Sequence, residues 1–311
     1  MHLTTAVPAR PTRLMMIRPR FFNVNKEAAP SNIFMRRRVI DDVDVIVDMA
    51  MHQHERLHSE LESKNVSVLM FDNQNVEAPD AVFCNNWITV HHEHETFNGR
   101  KYILLYPMAL HNRRIEVRED IVKSIADSYG AKHVHDLRIG SEGSALEGTG
   151  SMVLDRRNRI VYAALSPRTH LMKLLAFAGI LQYEVVHFNT LVEQKPIYHT
   201  NVIMCIGEHG NWVIVCTSAI HPSQRDRVLG KLRESGRTLV EITEEQMKSY
   251  CGNVLEIVNN DGVHWTVMSD TARAAFTAEQ LAIVGPNIIS VPFDVLENYG
   301  GGGVRCCLAE I

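Results

Sequence analysis

NVIMCIGEHGNWVIVCTSAI, residues 201–220, contains the pattern from which the fold can be read. Two apolar, strand-like runs flank the polar Glu208-His209-Gly210-Asn211, and a short Gly-containing loop between such runs closes an antiparallel hairpin. A helical stretch, SQRDRVLGKLRESG (223–236), and a strand, TLVEIT (238–243), follow it. The same order returns toward the C-terminus. There GNVLEIVNNDGVHWTVMSD (252–270) turns at Asn260-Asp261-Gly262 and leads through TAEQLAIVG (277–285) to NIISVPFD (287–294). It returns toward the N-terminus in GSMVLDRRNRIVYAAL (150–165), THLMKLLAFAGIL (169–181) and YEVVHFN (183–189). Earlier still, VSVLMFD (66–72), DAVFCNNWITVH (80–91) and KYILLYP (101–107) read as strands before the helix REDIVKSIADSYG (118–130), which Gly130 stops. Strand, strand, helix, strand at intervals of roughly fifty residues is the signature of an internal repeat in a ring or solenoid. The unit sequences are not alike, so the repeat lies in the order of elements. The expectation is an α/β protein: a tail, 1–12, then one continuous domain, 13–311, that starts with the core strand RLMMIRP (13–19).

Composition excludes several classes of partner. Net charge is 32 − 36 = −4 with no basic block, so no concentrated basic face for nucleic acid is expected. No apolar run approaches the ~18 residues of a membrane span; YILLYPMAL is short and carries Pro107. Arg10, Arg13, Arg18 and Arg20, with no acid among the first twenty residues, hint faintly at a transit peptide, but reading 13–19 as a strand leaves little chain for one. Cysteines 84, 205, 216, 251, 306 and 307 form no CxxC pair and sit mostly in apolar runs, the usage of reduced thiols in a cytoplasmic protein. A homo-oligomer is left open.

Chemistry is sought where strands start or stop. GGGGVRCCLAEI (300–311) sets Cys306 behind four glycines, pairing backbone freedom with a nucleophile. LEGTGSMVL sets Glu147 before a strand, and IYHTNVIMCIG sets His199 at the mouth of the hairpin quoted first. Each alone is a weak signal; Glu, His and Cys in this order, each at a strand end, form a specific one. HQHERLH (52–58) puts His54 and His58 four apart on a helix, and HHEHE (91–95) is a second cluster. No Cys or carboxylate set completes a ligand shell at motif spacing, so neither metal nor cofactor is expected. His91 and His92, close behind Asn86, are candidates for substrate contact.

The combination resembles the guanidino-group-modifying superfamily of arginine deiminase, dimethylarginine dimethylaminohydrolase, agmatine deiminase and the amidinotransferases. The matching stretches are PDAVFCNN (79–86), NRRIEV (112–117), LEGTG (146–150), LSPRTH (165–170), HTN (199–201) and GGGGVRC (300–306). The resemblance runs from about residue 14 to 311 and implies a five-bladed, pseudo-symmetric α/β propeller of ββαβ units. It implies Cys306 as nucleophile, His199 as general acid and base, and Glu147 as the carboxylate that orients the imidazole and binds substrate nitrogens. Asp80 would contact the same nitrogens. Arg168, with one of Arg113 and Arg114, would hold the carboxylate of a small amino-acid substrate, because the guanidinium fork donates two parallel bonds. Cys307 would point to the other side of an extended strand and be structural.

The departures carry the substrate expectation. Members that act on arginine-like cations carry carboxylates where this chain has Asn86 and Asn201, and an Asp where it has Gly150. An ionised carboxylate only accepts hydrogen bonds, whereas an amide both donates and accepts. A carboxylate facing a ureido C=O would leave an unmade bond worth about 1–3 kcal/mol. The pattern therefore looks like the citrulline hydrolases of this superfamily, which yield ornithine, carbon dioxide and ammonia. The competing expectation is an arginine-like guanidino substrate undergoing deimination, dimethylarginine hydrolysis or amidino transfer, with Asp80 and Glu147 serving the cation.

Overall fold

The computed structural model describes residues 10–36 and 42–311. Residues 1–9, most of the expected tail, lie outside the described residues. Thr12 is tied in, exchanging hydrogen bonds of 2.8 and 3.0 Å with Val258.

Arg13–Arg18 (β1) and Ser67–Asp72 (β2) pair in parallel, joined by the helix Val43–Ser63. Ile88–His91 (β3) and Tyr102–Leu105 (β4) form an antiparallel hairpin, and the helix Glu119–Tyr129 carries the chain to His133–Asp136 (β5), parallel to β4. Val153–Asp155 (β6), Ile160–Ala164 (β7) and Glu184–Phe188 (β8) repeat the plan around the helix Leu171–Leu181. Met204–Gly207 (β9), Trp212–Val215 (β10) and Thr238–Glu241 (β11) repeat it around Pro222–Glu234. Leu255–Val258 (β12), His264–Ser269 (β13) and Ile288–Val291 (β14) repeat it around Ala278–Val284. The sheet of β1 and β2 receives its missing strand from the other end of the chain: Ala309–Glu310 (β15) runs antiparallel to β1, with Met15 opposite Ala309. Five three-stranded sheets result, each with one antiparallel and one parallel pair. The parallel pair needs a crossover, and the helix that supplies it covers the sheet, so the middle strands β7 and β10 are buried along their length.

Several boundaries differ from the sequence reading. The strand 66–72 belongs with β1 and not with the hairpin after it. Residues 80–87 form turns rather than strand, and β5, HVHD, is a strand too polar to be recognised from its sequence. Cys306 and Cys307 lie in a 3-10 turn, Val304–Cys307, not in an extended strand. The hairpin turns after β3, β6, β9 and β12 lie at one end of their sheets. At the other end a short turn leads into the first strand of each unit, at Cys84–Asn86, Gly148–Ser151, Thr200–Val202, 250–253 and Val304–Cys307.

Those five turns touch one another in chain order. The Asn85 amide donates to Thr149 Oγ1 at 3.1 Å, and Thr200 Oγ1 to the Ser151 carbonyl at 2.6 Å. The Asn253 amide donates to the Asn201 carbonyl at 3.0 Å and to Cys306 Sγ at 3.4 Å, and the Cys84 thiol to the Cys307 carbonyl at 3.4 Å. The last bond returns to the first turn.

Candidate active site

The turns bring together side chains more than two hundred residues apart. Glu147 ends the loop after β5, and its fully buried carboxylate accepts from His199 Nε2 at 2.7 Å and from the Ala109 N–H at 3.0 Å. A carboxylate can only accept, so the proton of the imidazole sits on Nε2 and Nδ1 is left as the basic nitrogen. Burial alone would raise the Glu147 pKa. The Arg168 guanidinium at 3.6 Å, the bond from His199 and Arg113 at 3.9 Å overcome it and hold the group well below the usual carboxylate range. Burial likewise pushes His199 down, to about 4, against the pull of Glu147. The imidazole is thus neutral at pH 7.

Cys306 is buried on the neighbouring turn. Its sulfur receives Asn253 Nδ2 at 3.4 Å and Asn201 Nδ2 at 3.8 Å. Burial pushes the thiol pKa up; the Asn253 amide, the Arg305 charge and the Asn201 amide pull it back. His199 caps the short turn that carries Asn201, whose amide touches the sulfur, so one turn contributes both the imidazole bonded to Glu147 and a neighbour of Cys306. Cys307 is fully buried behind it.

Two acceptors in this region are buried and have no partner: Asn201 Oδ1 and Asp80 Oδ1. The other Asp80 oxygen accepts from Asn25 at 2.7 Å, and burial raises the Asp80 pKa against the charge of Arg113. Asn86 Oδ1 accepts from Arg113 Nη1 at 2.8 Å, while its Nδ2 donates to Asn85 Oδ1 at 2.9 Å and retains one free N–H. Gly150 abuts both groups: a Cβ there would stand 2.4 Å from Asn86 Nδ2 and 2.8 Å from His199 Cε1. The Asp found at this place in the resembled motif could not be seated without moving them.

The arginines divide. Arg168 is buried, lies 4.6 Å over the Tyr198 ring, and donates to Ser31 Oγ at 3.1 Å. Arg113 is buried too, but two of its nitrogens close on Glu116 at 2.8 and 2.9 Å, so its fork is already taken. Arg114 lies exposed and donates to the carbonyls of Met108 and Ala109, outside the site.

Both histidine clusters lie elsewhere. His91 ends β3 at the hairpin-turn end, bonded to Thr89 and Arg156, so neither it nor the 92–101 loop flanks Asn86. His54 is fully buried rather than solvated, while His58 faces Glu55 and Glu62. Among the described residues no group of three or more His, Cys, Asp or Glu is gathered to hold a metal ion.

Sequence reading missed Asn253 and the whole of 19–36. Asn253 had a readable signal, for it stands just before the first strand of its unit, as Asn86 and Asn201 do. The segment 19–36 has turns but no strand or helix, yet it reaches every wall. Asn25 bonds Asp80, Ser31 accepts from Arg168, Asn32 donates to the Gly300 carbonyl at 3.0 Å, and Phe34 packs on Tyr198 and Tyr250.

The resemblance read from the sequence holds: the chain is a member of the guanidino-group-modifying superfamily. The chain belongs to the family described as N,N dimethylarginine dimethylhydrolase, eukaryotic, whose model matches residues 18–311. Solved structures agree on the fold. The product-bound N-terminal domain of ArgZ, an arginine dihydrolase from the ornithine-ammonia cycle in cyanobacteria, superposes with a TM-score of 0.75 at 20% identity, over 97% of each chain. Unliganded AgrE gives 0.73 at 21% identity, over 96% of this chain and 39% of AgrE, so the chain spans well under half of that protein. A dimethylarginine dimethylaminohydrolase carrying an S-methyl-L-thiocitrulline adduct gives 0.67 at 16% identity, over 97% of this chain and 100% of the other. No curated protein matches the sequence. Among the described residues no helix is long and apolar enough to cross a membrane.

Proposed function

We propose that this chain is a cysteine-nucleophile hydrolase of the ureido C–N bonds of citrulline, acting at the closed end of a five-bladed α/β propeller. Cys306 attacks the ureido carbon as His199 Nδ1 takes its proton, and the new C–S bond displaces the C=O electron pair onto oxygen. Asn side chains and backbone N–H groups hold that oxyanion, the usual source of the largest catalytic term. Imidazolium, stabilised by Glu147, returns the proton to a leaving nitrogen as its C–N bond breaks. Water then attacks the acyl-cysteine with His199 again as base. The C–S bond breaks, the sulfur takes the proton back, and the carbamic acid released loses its remaining amine as the second C–N bond breaks to give carbon dioxide. One water is consumed overall, and ornithine, carbon dioxide and ammonia leave.

The amide lining supports the reading. Asn86 offers a free N–H where a carboxylate would offer only acceptors, and Asn201 offers an unpartnered Oδ1 for an N–H of a neutral ureido group. Arg168 is the cation for the substrate carboxylate. A second reading draws on the unpartnered Oδ1 of Asp80, a buried carboxylate oxygen that an arginine-like guanidinium would satisfy; ArgZ and AgrE, which share the fold, are bound to substrate and to L-arginine respectively in variant forms. Ornithine release from citrulline, measured beside citrulline release from arginine with Cys306→Ser as blank, separates the two. Citrulline release from arginine without ornithine release from citrulline would overturn the first reading.

A further inference from the structure

Asn253 approaches the sulfur of Cys306 more closely than Asn201 does: its Nδ2 stands 3.4 Å from Sγ and its Oδ1 3.6 Å, against 3.8 Å for Asn201 Nδ2. The amide cannot be turned round, because Nδ2 also donates to the Asn201 carbonyl at 3.0 Å, which only a donor can satisfy. That bond uses one N–H and leaves the other for the sulfur. The surroundings hold the amide still. Asn253 is buried, its backbone N–H donates to the Tyr250 carbonyl at 2.8 Å, and Oδ1 abuts Gly303, where a Cβ would stand 2.6 Å away. Its neighbour Gly252 packs so tightly on the next turn that a Cβ would lie 2.3 Å from the Val202 carbonyl oxygen.

A fixed amide edge facing sulfur serves both of its protonation states. Oδ1 accepts from the S–H of the thiol, and once the proton has passed to His199 Nδ1, the N–H donates to the thiolate. We infer that Asn253 is the positioning residue of the nucleophile, holding Cys306 Sγ against the substrate carbon and supplying the N–H that stabilises its thiolate. The inference rests on Cys306 being the nucleophile, as proposed above, and not on which substrate it attacks. A neutral substrate makes the role larger, since a ureido group brings no positive charge to help a thiolate form.

Alkylation needs no substrate and so tests this apart from the proposed activity. The full chain is treated with iodoacetamide across pH, and modification of the peptide bearing Cys306 is followed by mass spectrometry, with Cys306→Ser as blank. Asn253→Asp keeps the shape and sets a carboxylate against the sulfur; Asn253→Ala removes the amide. In variants with unaltered circular dichroism, the midpoint of alkylation is expected to rise by about one pH unit or more, further for Asp than for Ala. The kcat is expected to fall about tenfold or more while KM changes little. Should Asn253→Ala fail to fold, the near-isosteric Asp variant carries the test. An unchanged midpoint in a folded Asp variant overturns the inference. A raised midpoint in an enzyme that ignores citrulline supports it and refutes only the substrate assignment.

Discussion

Replacing Glu147 by Gln changes one atom and should reverse the polarity of the proposed base. The Ala109 N–H, 3.0 Å from Oε1, can only donate, so the amide oxygen of Gln must stay there. Its NH2 then faces His199 Nε2, at 2.7 Å in the native pair, and that nitrogen must become the acceptor. The ring proton moves to Nδ1, the nitrogen that should receive the thiol proton. A histidine held in the wrong tautomer loses general-base catalysis, a contribution of about 10²–10⁴-fold, and kcat/KM should fall by about that factor, or about 3–5.5 kcal/mol in the barrier. A second effect acts on stability. The carboxylate partly neutralises Arg168 at 3.6 Å and Arg113 at 3.9 Å, both buried, and removing one partner of buried charges costs about 3–5 kcal/mol. The assay is therefore steady-state ornithine release alongside a urea melt, read where the variant is folded. Folded Glu147→Gln retaining activity within about tenfold of the parent would refute the tautomer argument.

Other perturbations give separable readouts. Gly150→Ala forces Asn86 and His199 apart; misplacing a reacting group by about 1 Å costs about 10²-fold, so ornithine release should fall by that factor while far-UV circular dichroism is unchanged. Asn201→Asp puts a carboxylate where the neutral acceptor stood, and the ratio of kcat/KM for arginine to that for citrulline should rise by about tenfold or more, the worth of one charge-assisted bond. His54, buried without partners, has its pKa pushed down to about 3 by burial, with Arg18 and His58 adding. The unfolded chain binds that proton near pH 6.5, so the native state loses stability as pH falls below 6.5 and has lost all of this contribution by about 3. At pH 4.5 the loss is about 2–3 kcal/mol. Urea melts at pH 7.5 and 4.5 should show a smaller acid loss in His54→Leu than in the parent; equal losses would exclude His54 as the cause.

The repeat was legible because strands and helices write their periods locally. Glycines mark the stops, as Gly130 does in the left-handed conformation at φ 63°, and turn residues mark the hairpins. The closure was not legible, since β15 is two residues long and its pairing with β1 spans the whole chain. The tetraglycine run 300–303 reads as freedom but is packing. Only Gly301 takes a positive φ, and side chains at 300 and 302 would run into Phe83. Arg113 and Arg114 are equivalent in sequence, and only tertiary burial tells them apart. The segment 19–36 left no trace because its order comes from Asn, Ser and Phe side chains meeting groups far along the chain, with no apolar periodicity to betray it.

The most direct measurement is competition in one vessel, with equal citrulline and arginine, each carrying a distinct isotope label, and product followed by mass spectrometry. The proposed citrulline activity predicts that labelled ornithine from citrulline forms faster than any product of arginine, and that Cys306→Ser abolishes both. Preferential consumption of arginine, or turnover of citrulline by the serine variant, would contradict the account.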